Sequence, residues 1–216
     1  MLFVLGILFQ GTGCSTPQLF TVMVYEDPHR QVRLQTFPGV NDGQGLAHPA
    51  YLNVEVVKKI LRGVHVEIGN ATLSLPLIGS SRFASPRRAF SDTEIDFFAP
   101  LLVEGLKQAT PEEVVTFFET AEISDTQEIT TSGGVYLAND LFHVLLSNYS
   151  TKTQIWQDAE QYRAPYRLRP LEPIDPQPGR LVFEPSTLMV EVKEGFFQKA
   201  FSAEPWQVGV RYKELK

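Results

Sequence analysis

The chain has 216 residues, 43% of them hydrophobic and 20% charged, with 15 Phe, a composition suited to one domain with a packed core and far from that of disorder. Nineteen Lys and Arg against 25 Asp and Glu give a net charge of -6, which argues against a nucleic-acid partner, because that affinity rests on neutralising phosphates. A single cysteine, Cys14, leaves no intramolecular disulfide and no thiolate zinc site.

In chain order, the first feature is an uncharged stretch over residues 1–13. Leu2-Phe3-Val4-Leu5-Gly6-Ile7-Leu8-Phe9 is apolar but much shorter than the ~20 residues a membrane-spanning helix needs, and it reads as a signal-peptide core. Gly11-Thr12-Gly13 then leads into Cys14, and Ser15-Thr16-Pro17-Gln18 is a polar linker. Over about the first fifteen residues this arrangement resembles a bacterial lipoprotein signal. Two features depart from that pattern: Gly11 stands where an aliphatic residue is usual, and no Lys or Arg precedes the run. The resemblance implies a signal peptide over 1–13, a lipidated Cys14 with a linker to residue 18, and one domain over 19–216. Ser15 in place of Asp after the cysteine implies the outer membrane, facing the periplasm. Each buried methylene contributes about 0.8 kcal/mol, so several acyl chains anchor where one does so marginally. The alternative is a cytosolic structural protein with this run in its core and Cys14 packed as a small hydrophobe.

Residues 19–25 are β-branched and aromatic and predict a buried strand; residues 31–35 alternate polar with apolar and predict a strand with one wet face. Glu26-Asp27-Pro28-His29 between them reads as a turn, so the two form an opening hairpin. Val54, Val57, Ile60 and Leu61 recur at helical spacing, with Gly63 as a stop. Residues 64–77 read as one or two strands with a turn at Gly69-Asn70. Ser91-Asp92-Thr93-Glu94 is a capping box, and Ile95, Phe98, Leu102 and Leu106 form the buried stripe of a helix running to about Gln108. After Thr110-Pro111 a single turn and then a strand are expected.

Residues 128–131, 135–137 and 141–146 read as strands of a meander, broken at Ser132-Gly133-Gly134 and at Ala138-Asn139-Asp140. Prolines at 165, 170, 173, 176, 178 and 185 predict an extended surface crossing, which is also a candidate sub-boundary. Three more strands are expected over 180–183, 188–192 and 207–212. The fold class is therefore α+β, a mostly antiparallel sheet with one or two packed amphipathic helices. Charge is uneven: the net is +3 over residues 1–90, -9 over 91–132 and 0 over 133–216, so the acidity belongs to the central helix region, where a solvated helix face accounts for it.

Catalytic grammar is sparse. His29, His48, His65 and His143 have no pair at the spacing that would put two imidazoles on one helix face, and neither a serine elbow nor a phosphate-binding glycine pattern occurs. His143 reads as a packed or edge histidine. Ser80, Ser81 and Ser132 beside glycines, and the pairs Glu26-Asp27 and Glu112-Glu113, fit turns and a helix start. No metal or other cofactor is implied. Arg82, Arg87 and Arg88 lie just before the Ser91 helix start, where guanidinium groups and free amides could hold an anion; pairing with the acidic helix is the plainer reading. Tyr162, Arg163, Tyr166, Arg167 and Arg169 interleave aromatics with cations, a mixture favoured at interfaces, or else pack within a strand. The function these readings favour is a membrane-anchored envelope lipoprotein acting as a non-enzymatic binding or assembly module. Its partner would be an envelope protein or an anionic polymer. The rival is an envelope hydrolase or transferase with a site assembled from scattered residues.

Overall fold

The computed structural model describes residues 20–36, 45–69, 83–155, 165–175, 177–192 and 206–215. Cys14 and the signal-like run before it, the possible second strand over 70–77, Ser80, Ser81 and Arg82, and Tyr162 and Arg163 lie outside these residues.

The N-terminal hairpin pairs as its sequence predicts, β1 (Phe20–Glu26) antiparallel with β2 (Arg30–Thr36), but β1 is not the buried strand expected: it forms the edge of the sheet, and Val22 and Met23 are exposed. β2 continues the sheet onto β5 (Glu113–Ser124), which pairs with β6 (Gln127–Ala138), then β7 (Leu141–Gln154), then β10 (Trp206–Val210) and the short β9 (Met189–Val190). All of these pairings are antiparallel, and the seven strands run from β1 at one edge to β9 at the other without closing into a barrel. A second, three-stranded sheet has β3 (Val64–Ile68) between β4 (Arg87–Arg88) and β8 (Gly179–Phe183).

Two helices complete the fold, with one four-residue helical turn, α3 (Pro165–Leu168). α1 (Val54–Gly63) starts at Asn53, whose side-chain oxygen accepts from the Glu55 amide at 2.8 Å, and buries Val57, Ile60 and Leu61. α2 (Asp92–Gln108) starts at the capping box: Ser91 Oγ accepts from the Glu94 amide at 3.3 Å, and Glu94 Oε2 accepts from the Ser91 amide at 2.5 Å. Its residues Ile95, Phe98, Leu102, Val103 and Leu106 are buried. One apolar cluster joins these helical residues to Val32 and Leu34 of β2, Val115 and Phe117 of β5, and Phe142, Val144 and Leu146 of β7. Leu181 and Phe183 of β8 and Val208 and Val210 of β10 belong to the same cluster, so the chain within and beyond the proline-rich stretch shares the core built before it.

Four other local expectations need correction. Ser132-Gly133-Gly134 is not a hairpin break: β6 runs straight through it. The glycines serve close approach, since a Cβ on Gly133 would lie 2.1 Å from the Leu145 carbonyl oxygen and 3.0 Å from the Phe117 ring. The true break is Asn139-Asp140, where both residues have positive φ (51° and 61°), as a two-residue hairpin turn with the twist of its strands requires. The polar side of β2 is not wet: Gln31, Arg33 and Gln35 are all buried. Lastly, the proline-rich stretch is neither wholly extended nor wholly on the surface, because Pro165 opens a helical turn and Leu171 is fully buried. Near the C-terminus the last strands are shorter than expected, and 3₁₀ turns over Ser186–Leu188 and Tyr212–Glu214 take up the remainder.

Candidate functional site

Period-two alternation gives the seven-stranded sheet two unlike faces. The face carrying Val32, Leu34, Val115 and Phe117 belongs to the large apolar cluster. The opposite face presents Gln31, Arg33 and Gln35 from β2, Thr116 from β5, Ser132 and Tyr136 from β6, and His143 and Ser147 from β7, all buried. Its apolar content is a small separate cluster of Leu46, Val114, Tyr136, Ala138, Leu145 and Leu171. Most buried polar groups need partners, and this face finds them in hydrogen bonds for most of its side chains, Gln31 Oε1 and Gln35 Oε1 being exceptions.

A strap running from α3 to residue 177 supplies many of those partners. Ser132 Oγ donates to the Pro170 carbonyl at 2.8 Å, and Ser147 Oγ to the Leu171 carbonyl at 2.9 Å. Asn148 uses both ends of its amide: Nδ2 donates to the Glu172 carbonyl at 3.0 Å, and Oδ1 accepts from the Ile174 amide at 2.8 Å. Gln177 closes the strap against the Tyr149 backbone, its oxygen accepting from the amide at 3.3 Å and its nitrogen donating to the carbonyl at 3.2 Å. Leu171 fills the small apolar cluster between these bonds.

At one end of the strap sits Arg167. The interface expectation requires an exposed side chain, yet Arg167 is 1% exposed. Its guanidinium donates to the carbonyl of Pro28 at 2.8 Å and to that of Asp27, and it reaches Glu26 Oε1 at 3.4 Å and the Arg30 carbonyl at 3.4 Å. Arg167 thus knits the turn of the opening hairpin to the strap and lies over the Phe118 ring at 5.4 Å. Glu26 also accepts from Gln31 Nε2 at 2.7 Å and Arg33 Nη2 at 3.3 Å. Burial is the main cause that pulls the Arg33 guanidinium down to about 10. Arg169 points outward and pairs with Glu172 at 3.3 Å, while Tyr166 belongs to α3 by its backbone.

Elsewhere on this face, beside the Asn139-Asp140 turn, lies a stacked pair. The rings of Tyr136 and His143 are 4.5 Å apart and nearly parallel. Gln207 Nε2 donates to His143 Nδ1 at 3.2 Å and to the Tyr136 hydroxyl. With Nδ1 accepting, Nε2 carries the proton and donates to the Ala138 carbonyl at 3.3 Å. Burial pushes the imidazole down to about 4 and raises the Tyr136 phenol above its ordinary range. At neutral pH His143 is therefore an uncharged packing group with both nitrogens engaged.

Of the basic cluster, Arg87 and Arg88 are placed by pairing of β4 with β3 and stand beside the start of α2. Arg88 forks onto the Asp92 carboxylate at 2.7 and 3.3 Å, and this bond holds Asp92 below the usual carboxylate range. Arg62 approaches the same carboxylate at 3.7 Å. Arg87 lies over the Tyr149 ring at 5.0 Å. The amides of Ser91 and Glu94 are already taken by the capping box. Pairing with the acidic helix is thus what Arg88 does here.

A shallow depression of about 260 Å³ is lined by Asn139, Asp140, Leu141, Arg211, Lys213 and Glu214, with Lys213 bonded to Asp140. Among the described residues no three His, Cys, Asp or Glu side chains gather as metal ligands, and no helix is long and apolar enough to cross a membrane. Sequence reasoning missed the buried role of Arg167 and the polar lining of the second face. The signal available was the regular Gln31-Arg33-Gln35 alternation, which is the same for a wet face and for one covered by polar partners. Compared with protein families, curated proteins and solved structures, the chain matches none.

Proposed function

We propose that the protein is a lipid-anchored envelope protein whose domain beyond Cys14 is a non-enzymatic binding or assembly module. The observation that carries this reading is Cys14 itself, standing after an uncharged apolar run and small residues and before a polar linker. β1 begins at Phe20, so the linker is short and the sheet edge follows the anchor closely. In this reading α1 and α2 serve as the amphipathic cover of one sheet face. The neutral, doubly bonded His143 supports a non-enzymatic role, since a general base must exchange a proton near working pH. The partner proposed is an envelope protein or an anionic polymer on the outer membrane's periplasmic side, met through the arginines that precede α2 in the sequence, with Arg87 the described candidate beside the engaged Arg88.

The reading is tested by detergent-phase partitioning of the chain made in its host alongside Cys14→Ala. The wild-type chain is expected in the detergent phase and Cys14→Ala in the aqueous phase. Recovery of both in the aqueous phase would overturn it.

A further inference from the structure

The ladder between β5 and β6 ends at the pair Val115–Val135, and the backbone of Leu137, two residues further along β6, takes its partners elsewhere. They come from segment 45–52, just before α1. Ala47 donates its amide to the Leu137 carbonyl at 2.8 Å, and the Leu137 amide donates to Nε2 of His48 at 3.1 Å. Leu46 donates to the Pro111 carbonyl and Ala50 to that of Leu106, each at 2.8 Å, so the segment also spans the turn before β5 and the last turn of α2. Leu46 itself fills the small apolar cluster with Val114, Tyr136 and Leu145. A ring nitrogen thus stands where a sheet would supply a carbonyl oxygen, and it accepts only while it carries no proton. His48 is 6% exposed; with Nε2 accepting, its proton sits on Nδ1, which is buried without a hydrogen bond of its own.

We propose that His48 is a pH-sensitive latch: its neutral ring fastens segment 45–52 to the end of β6, and protonation releases it. The proton that arrives at Nε2 points at the Leu137 N–H, so two donors face each other and a buried amide loses its acceptor. The charged group acting on the ring is Glu113 at the start of β5, whose carboxylate accepts from the Thr110 amide at 2.8 Å. The turn before β5 presents the Thr110 backbone, β6 presents Leu137, and Tyr136 of the adjoining cluster stays neutral. Burial lowers the imidazole below its ordinary 6.5, against the raising pull of the Glu113 and Thr110 backbone and of the Glu113 charge. The latch is therefore fully closed above 6.5 and opens as pH falls through the lowered value. Opening frees Leu46 from its cluster while the centre of the sheet stays paired.

The test follows hydrogen exchange of the Leu137 amide in the full chain between pH 7 and 4, normalised for intrinsic exchange and set against Val144 in the sheet centre. It uses His143→Asn as the background, so that the other buried imidazole does not titrate. Protection of Leu137 is expected to fall about tenfold relative to Val144, and to stay flat when His48→Gln is added, because the amide oxygen of Gln still accepts and does not titrate. A flat Leu137, an unchanged fall with His48→Gln, or an equal fall at Val144 would overturn the latch. Should these variants not fold, the imidazole nitrogens of His48 are followed by NMR in the wild type. A proton on Nδ1 at pH 7 and a midpoint below the ordinary value are expected. A proton on Nε2 at pH 7, or a midpoint at or above that value, would overturn the proposal. None of these outcomes depends on Cys14.

Discussion

The two faces of the seven-stranded sheet are held by different physics. On one, Val32, Leu34, Val115 and Phe117 belong to a single apolar cluster that also holds buried residues of α1 and α2. The other is closed by side chains that grip backbone carbonyls and amides of a strap, with a few apolar residues among them. Apolar packing is non-directional, so its strength follows buried volume; a polar face depends on each donor finding its acceptor. Damage to the first should scale with the cavity created, and damage to the second with the number of groups left unpaired.

The largest expected effect lies on the apolar face. Phe117 packs against Phe90 and Phe98 with almost no exposure, so Phe117→Ala should cost about 3–5 kcal/mol in denaturant unfolding. On the polar face Arg167→Met keeps much of the volume but strands the carbonyls of Asp27 and Pro28, and a loss of about 3 kcal/mol is expected. A cost near zero for Arg167→Met would dissolve the distinction between the faces. Asn148→Ala should follow, at about 1–3 kcal/mol, because the Glu172 carbonyl and Ile174 amide lose their partners together.

The polar face should also show a dependence on pH that the apolar face lacks. The His143 imidazole is held down to about 4 in the folded chain, against an ordinary value of 6.5. Between those two values the unfolded chain binds the extra proton. The stabilisation is therefore complete above 6.5 and is lost as pH falls toward 4, on the order of 3 kcal/mol in all. His143→Asn, measured across the same range, should remove that slope. The smallest effect is a local one: Ser91→Ala removes half of the α2 capping box and should cost about 1 kcal/mol.

How far the sequence revealed this architecture depended on whether the information was local. Ser91 and Glu94 satisfy donors three residues away, so the start of α2 could be read directly, while Asn53, which caps α1 through the amide two residues on, went unmarked. Val32 and Leu34 likewise announced a strand with one buried face. Gly133-Gly134 misled because a pair of glycines has the same composition in a turn as in a strand crowded by its neighbour; only the approach of Leu145 and Phe117 decides between them. Arg167 misled for a related reason. Its partners at Glu26, Asp27 and Pro28 lie far off in the chain, and an arginine beside tyrosines and prolines looks the same at a surface as in a sealed junction.

The proposed anchoring turns on one covalent fact about Cys14. The most direct measurement is the mass of the N-terminal peptide from protein recovered from its host's membranes. The account predicts a peptide that begins at Cys14 and carries added acyl mass. An unmodified peptide beginning at Met1 would contradict it and return residues 2–9 to the structural core.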